Sequence, residues 1–549
     1  MSEPWAPGGE TAHVDHFAAE NLPPKAAWPR IDFTGLPDLA AFPDRINCAT
    51  ELLDKMARRH PHRAALHGAD FTWSYGELLD KANRIANILV GELGVRPGNR
   101  VMLRSGNNPM YAACWFAVMK VGAVAVATMP LLRARELTYM ADFARVRVAL
   151  CDARLAEEME ATRQGAAELR DVVYFHAEAE DGLEARMASQ SNQYDNIDTA
   201  ADDVCIIAFT SGTTGQPKGC MHFHRDVMAV CETSSKQIVK PRADDIFAGT
   251  PPLAFTFGLG GLILFPLQVG ASSLLLESYT PDGLIAAVNR HRITVLFTAP
   301  TMYRVLTPLV RETPVPSLRL CISAGEMLPK PTWDDWHAAT GLRISDGIGA
   351  TEMLHTFIAG ADDVIRPGAT GKAIPGFEAT VLDDDGNEAA PGSVGRLAVR
   401  GPTGCRYMNN PERQAAYVRD GWNLTGDAYI RDEDGYFWYQ ARTDDMIISA
   451  GYNISGPEIE SVLLEHPAVA ECAVIGAPDP QRGQIVKAVV VLRDPGRAGQ
   501  ALVEELQAHV KATIAPYKYP RAVTFTDDLP RTQTGKVQRF VLRQREAGG

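Results

Sequence analysis

Short apolar runs alternate with segments of helical periodicity along most of the chain. The apolar runs span residues 101–103, 146–150, 204–209, 318–322 and 342–345. Before the first of them, Ser74 and Glu77 have the spacing of a helix-capping box. Apolar residues then recur at helical spacing, at Leu78, Ala82, Ile85 and Leu89. Strands that alternate with helices are typical of parallel sheets covered by helices, so the pattern predicts an α/β fold.

The pattern changes near residue 440, which indicates a second domain. The segment RTDDMIISAGYN at 442–453 is polar and rich in turn-forming residues. After it, Ser455 and Glu458 predict a helix start, and strands near 469–475 and 485–492 precede a helix over about 502–515. We therefore predict a large N-terminal domain of several subdomains, with sheets covered by helices, at residues 1–442. A small, mobile α/β C-terminal domain would occupy residues 443–549.

Charge argues against one class of partner. The 549-residue chain has 54 Lys and Arg against 67 Asp and Glu, a net charge of −13, and no run rich in lysine and arginine. Binding to phosphate backbones needs clustered cations. We therefore predict no nucleic-acid partner.

The cysteines and the N-terminus indicate the compartment. The nine cysteines are an odd number and form no CxxC pair, which favours reduced, buried thiols over a disulfide framework or a zinc site. The first residues lack the basic and apolar regions of a secretory signal. We predict a cytoplasmic protein.

An uncharged stretch at residues 246–276 is long enough to cross a bilayer. However, Pro251, Pro252, Pro266 and five glycines interrupt it, and such residues break a helix. We predict buried strands and loops around a ligand site, and no membrane partner.

A loop of ten residues follows the apolar run at 204–209. It reads TSGTTGQPKG at 210–219 and offers glycine turns, hydroxyl donors and one cation. Such a loop can cradle a polyphosphate, although it lacks the ending of a Walker A loop. A flexible polar loop is the alternative. The predicted phosphate contacts are Thr210, Ser211, Gly212, Thr213, Thr214, Gly215 and Lys218.

This loop resembles the phosphate-binding signature of the acyl-adenylate-forming superfamily, which includes acyl- and aryl-CoA ligases, luciferases and peptide-synthetase adenylation domains. Four further segments resemble family motifs in the expected order. DGIGATE at 346–352 resembles the adenine and magnesium motif, and LTGD at 424–427 the ribose motif. Residues 442–451 resemble the hinge motif, and LPRTQTGK at 529–536 the motif of the C-terminal lysine.

The resemblance implies a role for each motif. The adenine would pack on Gly325, Glu326, Met327, Asp346, Gly347 and Ile348, where many members have tyrosine instead of the isoleucine. Thr351 would contact phosphate, Glu352 would ligate Mg²⁺, and Asp427 with Arg442 would bind the ribose of ATP. Asp444 would be the hinge, and Gly451 would line the pantetheine tunnel. Lys536 would be the catalytic cation of adenylation.

The implied reaction has two steps. A carboxylic acid and ATP form an acyl-adenylate and pyrophosphate, and the thiol of CoA then attacks the adenylate. Rotation of the C-terminal domain about Asp444 would withdraw Lys536 between the steps.

The acid pocket of the family corresponds to two segments here. The residues that would line it are Phe255, Thr256, Phe257, Gly349, Met353 and His355. Thr256 stands where peptide synthetases usually carry an aspartate for a substrate ammonium, which argues against an α-amino acid. Residues 348–357 closely resemble benzoate–CoA ligases. Residues 1–45, which we expect to form an extended arm packed on the body, most resemble the 2-aminobenzoate–CoA ligase branch.

The resemblance therefore implies a small aromatic acid and CoA as substrates, and it permits a homodimer. Three alternatives stay open: a CoA ligase for a medium-chain or cinnamate-like acid, a non-catalytic nucleotide-binding module and a kinase-like phosphotransferase. Intact Glu352, Asp427 and Lys536 argue against the second, and pyrophosphate as product would exclude the third.

Overall fold

The computed structural model describes residues 9–210, 217–443, 445–449, 452–479, 482–514, 516–531 and 535–547. These residues form four β-sheets with helices packed on them. The predicted α/β fold, with a large N-terminal part and a small C-terminal part, is confirmed. The division at residue 442 and the mobility of the second part stay predictions.

The first sheet has six strands and carries the predicted phosphate loop at one edge. Its strands, in spatial order, are Asp171–Phe175, Val148–Asp152, Arg100–Arg104, Val124–Thr128, Val204–Thr210 and Lys218–Phe223. All neighbours are parallel except the last pair, which is antiparallel. Three of the apolar runs predicted as strands, at 101–103, 146–150 and 204–209, therefore lie in inner strands of this sheet, where both faces are covered.

The second sheet has nine strands. In spatial order they are Lys372–Ala373, Thr356–Ala359, Ile344–Gly349, Leu320–Ala324, Val295–Thr298, Ile246–Gly249, Ser272–Leu274, Ala64–His67 and Thr72–Ser74. The central strands are parallel, and the two edges end in antiparallel strands.

The remaining two sheets have five strands each and follow in the chain. The third is antiparallel and comprises Glu378–Leu382, Val394–Arg400, Val418–Arg419, Trp422–Arg431 and Phe437–Arg442. The fourth belongs to the C-terminal part and comprises Ile447–Ser449, Tyr452–Ile454, Val469–Asp479, Gly483–Leu492 and Ala522–Phe525.

The α-helices of the first 300 residues are Phe17–Glu20, Pro37–Ala40, Lys55–Arg59, Tyr75–Gly91, Pro109–Lys120, Ala134–Phe143, Ala156–Gly165, Leu183–Ser189, His224–Val230, Thr256–Leu259, Phe265–Val269 and Pro281–His291. The later ones are Pro300–Glu312, Lys330–Thr340, Pro411–Tyr417, Gly456–Leu464, Gln500–Thr513 and Arg539–Ala547. The capping box is present, because Glu77 N donates to Ser74 Oγ at 3.2 Å and Ser74 N donates to Glu77 Oε2 at 2.7 Å.

Residues 246–276 form two strands joined by short helices rather than one long helix. Between the strands Ile246–Gly249 and Ser272–Leu274, the chain makes a wide helical turn at Gly260–Leu264 with the hydrogen-bond pattern of a π-helix. No helix among the described residues is both long and apolar enough to cross a membrane.

Candidate functional site

The predicted phosphate loop leaves the first sheet between two antiparallel strands. Thr210 pairs with Lys218 at the base of the loop. The predicted contacts Ser211, Gly212, Thr213, Thr214 and Gly215 lie outside the described residues. Thr210 and Lys218 therefore mark where the loop begins and ends.

Glu352 faces the base of this loop. Its Oε1 accepts a hydrogen bond of 2.5 Å from the hydroxyl of Tyr407, and the Lys218 ammonium lies 5.7 Å from the centre of the Tyr407 ring. Burial raises the pKa of Glu352, whereas the Tyr407 hydrogen bond and the Lys218 charge oppose that rise. Tyr407 could not be identified from the sequence, because it lies 55 residues after Glu352 and belongs to none of the motifs described above.

The turn that carries Glu352 is held by two other segments. Thr351, Glu352 and Met353 form a single 3₁₀ turn after the strand Ile344–Gly349. His222 Nε2 lies 2.8 Å from the carbonyl oxygen of Thr351, and Thr403 Oγ1 donates to that of Met353 at 2.8 Å. These contacts fix the backbone on both sides of the carboxylate.

The predicted adenine segments lie side by side. The strands Leu320–Ala324 and Ile344–Gly349 are parallel neighbours, with Ser323 beside Asp346 and Ala324 beside Gly347. Burial raises the pKa of Asp346 to about 8, although the Ser323 hydroxyl opposes the rise. Buried carboxyl groups with a raised pKa often lie where a protein binds a polar ligand.

Gly325, Glu326 and Met327 continue directly from the strand Leu320–Ala324. Gly325 has φ +94°, a conformation that favours glycine. Glu326 Oε2 accepts a hydrogen bond of 2.7 Å from Thr301 Oγ1. Ile348 is partly buried against a neighbouring apolar cluster.

The predicted ribose residues form one ion pair across antiparallel strands. Asp427 and Arg442 are register partners, and Arg442 Nη1 donates to Asp427 Oδ1 at 2.9 Å and to the carbonyl of Thr425 at 3.1 Å. Burial raises the pKa of Asp427, and the Arg442 and Lys536 charges oppose this. The guanidinium therefore orients the carboxylate of Asp427.

Lys536 reaches this site from the C-terminal part. Its Cε lies 3.9 Å from the position that a Cβ on Gly325 would take. Burial lowers the pKa of Lys536, whereas the negative charges of Glu326 and Asp427 raise it. The structure thus brings the C-terminal lysine over the predicted nucleotide site. The predicted hinge Asp444 and the predicted tunnel residue Gly451 lie outside the described residues.

A cluster of aromatic side chains surrounds the buried His355. The His355 ring centre lies 5.7 Å from that of Phe257 and 4.6 Å from that of Phe265, and Phe257 lies 5.5 Å from Phe297. Burial lowers the pKa of His355 to about 3, so the ring is neutral near pH 7. Neither ring nitrogen has a hydrogen-bond partner by distance and angle among the described residues.

Glycines allow this close packing. A Cβ on Gly260 would lie 2.4 Å from His355 Cδ2, and one on Gly261 would lie 2.5 Å from Phe297 Cδ1. Similarly, a Cβ on Gly349 would lie 2.8 Å from the carbonyl oxygen of His355. The pair Gly260 and Gly261 within an apolar stretch is the sequence feature that could have indicated the contact between Gly260 and His355.

The other predicted pocket residues differ in their surroundings. Phe255 precedes the helix Thr256–Leu259, and the side chains of Phe255 and Thr256 are partly exposed. Met353 is fully buried in an apolar cluster with Phe357 and Ile358. Its side chain therefore belongs to the core behind the turn.

His224, two residues after His222, points to a different part of the core. Its Nδ1 accepts from the Cys48 amide at 3.3 Å and lies 3.2 Å from Cys48 Sγ. All nine cysteines are free, and eight of them are buried.

Comparison with known proteins gives consistent matches over most of the chain. The family described as "AMP-binding enzyme" matches residues 53–407, and "AMP-binding enzyme C-terminal domain" matches residues 458–536. The benzoate–CoA ligase of Thauera aromatica is 36% identical over 93% of this chain and 98% of that protein.

Two solved structures are also similar. The anthranilate CoA ligase AuaEII in complex with anthranoyl-AMP has a TM-score of 0.88 and 33% identity, over 92% of this chain and 98% of that one. A benzoate CoA ligase from Burkholderia xenovorans LB400 has a TM-score of 0.83 and 32% identity, over 91% and 100%.

Proposed function

The chain belongs to the AMP-binding enzyme family, and on this basis we propose that it is an AMP-forming ligase that joins a small aromatic carboxylic acid to CoA. The observation that carries the proposal is the cluster of Phe257, Phe265 and Phe297 around the buried His355. His355 follows Glu352 by three residues, so an acid bound beside this cluster would have its carboxylate near the predicted phosphates.

The first step transfers the adenylyl group of ATP to the acid. Asp427, oriented by Arg442, accepts hydrogen bonds from the ribose hydroxyls. The Asp346 carboxyl and the backbone after Gly325 contact the adenine. Lys218 at the base of the loop supplies positive charge to the phosphates.

Glu352 fits a magnesium ion, because it offers a carboxylate oxygen beside Lys218 while Tyr407 holds its other side. When bound there, the ion would supply charge neutralisation on the phosphate oxygens.

Lys536 acts on the reacting centre. Its ammonium, near Gly325 and Asp427, stabilises the negative charge that develops between the attacking carboxylate and the α-phosphate. In the second step the C-terminal part moves away about Asp444, and CoA reaches the adenylate beside Gly451.

For the acid, we propose 2-aminobenzoate or a close relative of benzoate. The neutral imidazole of His355 has a nitrogen lone pair that can accept a hydrogen bond from an ortho-amino group. Likeness to AuaEII, whose structure contains anthranoyl-AMP, supports this choice. The free cysteines suit a reducing compartment, and we propose a cytoplasmic location.

A panel of acids with ATP, Mg²⁺ and CoA, with AMP release as the readout, tests the proposal. The panel holds 2-aminobenzoate, benzoate, cinnamate, octanoate and acetate, and reactions without CoA are the control. We expect 2-aminobenzoate to have the highest kcat/KM. Octanoate as the preferred acid would contradict the aromatic assignment, and ADP as product would contradict the ligase assignment.

A further inference from the structure

Glu471 contacts arginines from both parts of the molecule. Its Oε1 accepts a hydrogen bond of 2.8 Å from Arg304 Nη2, on the helix Pro300–Glu312 of the N-terminal part. Its Oε2 pairs with Arg531 of the C-terminal part. One carboxylate on the strand Val469–Asp479 therefore ties the two parts together.

Arg531 lies at the start of the segment that ends in Lys536. Its Nη1 donates to the carbonyl of Gly535, the residue before the lysine, at 2.7 Å. Arg531 also pairs with Val537 as an antiparallel bridge, and Gln538 N donates to Pro530 O at 2.7 Å. Backbone contacts thus join the two ends of the lysine segment, and the Arg531 guanidinium contacts both Gly535 and Glu471.

The helix that carries Arg304 also contacts the predicted nucleotide site. Thr301, one helical turn before it, donates to Glu326 at 2.7 Å. Glu326 contributes to the field at Lys536, and Lys536 Cε lies 3.9 Å from the Cβ position of Gly325. The helix Pro300–Glu312 therefore holds one wall of the site through Thr301 and the opposing part of the protein through Arg304.

We propose that Glu471 is a positioning residue for adenylation: through Arg304 and Arg531 it holds the Lys536 segment over the nucleotide site. This rests on the two-step reaction proposed above. The Arg304 contact joins the two parts and breaks when they separate, whereas the Arg531 contact lies within the C-terminal part and persists. The three side chains are about one-quarter exposed, so the contact is weak enough to break in every catalytic cycle.

The experiment measures the two half-reactions separately in Arg304→Ala, Arg304→Lys and Glu471→Gln. The first is acid-dependent pyrophosphate exchange, and the second is thioester formation from supplied acyl-adenylate and CoA. Arg311→Ala is the matched control, because Arg311 lies exposed on the same helix without an ion pair among the described residues.

In Arg304→Ala we expect pyrophosphate exchange to fall about two- to fivefold, the range of a partly exposed ion pair, while the second half-reaction stays unchanged or accelerates. Arg304→Lys should retain most of the exchange rate, and Glu471→Gln should lose more than Arg304→Ala. In 1 M NaCl the difference between Arg304→Ala and the wild type should shrink, because salt screens the pair.

Equal loss in both half-reactions, or no loss in either, would overturn the positioning role of Glu471 and leave the proposed function intact. If the wild-type protein exchanges pyrophosphate with no acid of the panel, the proposed function fails and this proposal fails with it. Thermal unfolding of each variant shows whether a lost rate reflects lost folding.

Discussion

The hydroxyl of Tyr407 donates a 2.5 Å hydrogen bond to Glu352, a residue 55 positions earlier in the chain. The bond joins a turn between the strands Ile344–Gly349 and Thr356–Ala359 of the second sheet to the segment that pairs with Cys220 beside the phosphate loop. It occupies one carboxylate oxygen and orients the other, so Tyr407 determines which oxygen is available to a cation.

Tyr407→Phe should raise the Mg²⁺ concentration needed for half-maximal acyl-adenylate formation. A hydrogen bond to a charged group contributes about 1.5–3 kcal/mol, which corresponds to a rise of about tenfold or more. The control is Tyr417→Phe, because that ring packs 5.8 Å from Tyr407 but its hydroxyl has no hydrogen-bond partner among the described residues. An unchanged Mg²⁺ requirement would show that Tyr407 does not orient Glu352.

Lys536→Ala should affect only the first half-reaction. Loss of one charge at the reacting centre costs about 2.7–4 kcal/mol, as for an oxyanion donor, so acyl-adenylate formation should fall at least about a hundredfold. The same variant should still convert supplied acyl-adenylate and CoA to thioester. Stopped-flow measurement of each step checks this, and an equal loss in both steps would contradict the assignment.

His355→Ala should change the ratio of kcat/KM between 2-aminobenzoate and benzoate more than it changes the rate with either acid. A buried polar group that lacks a partner costs about 1–3 kcal/mol. Benzoate would leave the His355 imidazole without a partner, so the wild-type protein should favour 2-aminobenzoate. The variant should show a smaller difference between the two acids. Competition between the two acids in one reaction measures the ratio directly. A ratio that survives the substitution would exclude His355 as the contact for the amino group.

Gly260→Ala should disturb the same ring by crowding it. Its Cβ would lie 2.4 Å from His355 Cδ2, and overpacking of this kind costs about 1–3 kcal/mol of unfolding free energy. The KM for the aromatic acid should rise as the ring is displaced. Gly91→Ala is the control, since nothing lies within 4 Å of its Cβ position. Equal urea midpoints for the two variants would show that the aromatic cluster accommodates the added methyl group without a loss of unfolding free energy.

Acid should destabilise the protein through His355. Its folded pKa is lowered to about 3 from the ordinary value of 6.5, so between these values the unfolded chain binds the additional proton and stability falls as pH falls. From pH 7.5 to 5.5 this group alone removes about 1.4 kcal/mol of unfolding free energy. Urea unfolding of the wild type and of His355→Gln at both pH values measures the difference. Parallel losses in the two proteins would assign the acid sensitivity to other groups.

Local patterns in the sequence predicted the elements well. The capping box at Ser74 and the strand Val204–Thr210 depend on neighbours in the chain, so periodicity and turn chemistry were sufficient. The helix and strand ends in the structure differ from the predicted ends by a few residues. For example, the strand predicted to begin at residue 342 begins at Ile344. The Asp427–Arg442 pair was also accessible, because both residues belong to recognisable motifs.

Contacts between distant segments could not be predicted in this way. Tyr407 meets Glu352, Phe297 meets Phe257, and Arg304 meets Glu471 only because segments far apart in the chain pack against each other in the fold. Tyr407, Phe297, Arg304 and Glu471 have no local pattern that differs from that of an ordinary core or surface residue. Their contacts with the site depend on tertiary packing, which the sequence pattern does not give.

The turn between Gly349 and His355 has a consequence for redesign of the substrate range. His222 and Thr403 hold its carbonyls, and no side chain fits at Gly349. Because Glu352 and His355 belong to this one rigid turn, an insertion that enlarges the pocket there also displaces the cation ligand. Libraries directed at bulkier acids should therefore vary Phe257, Phe265 and Phe297 and leave the turn intact.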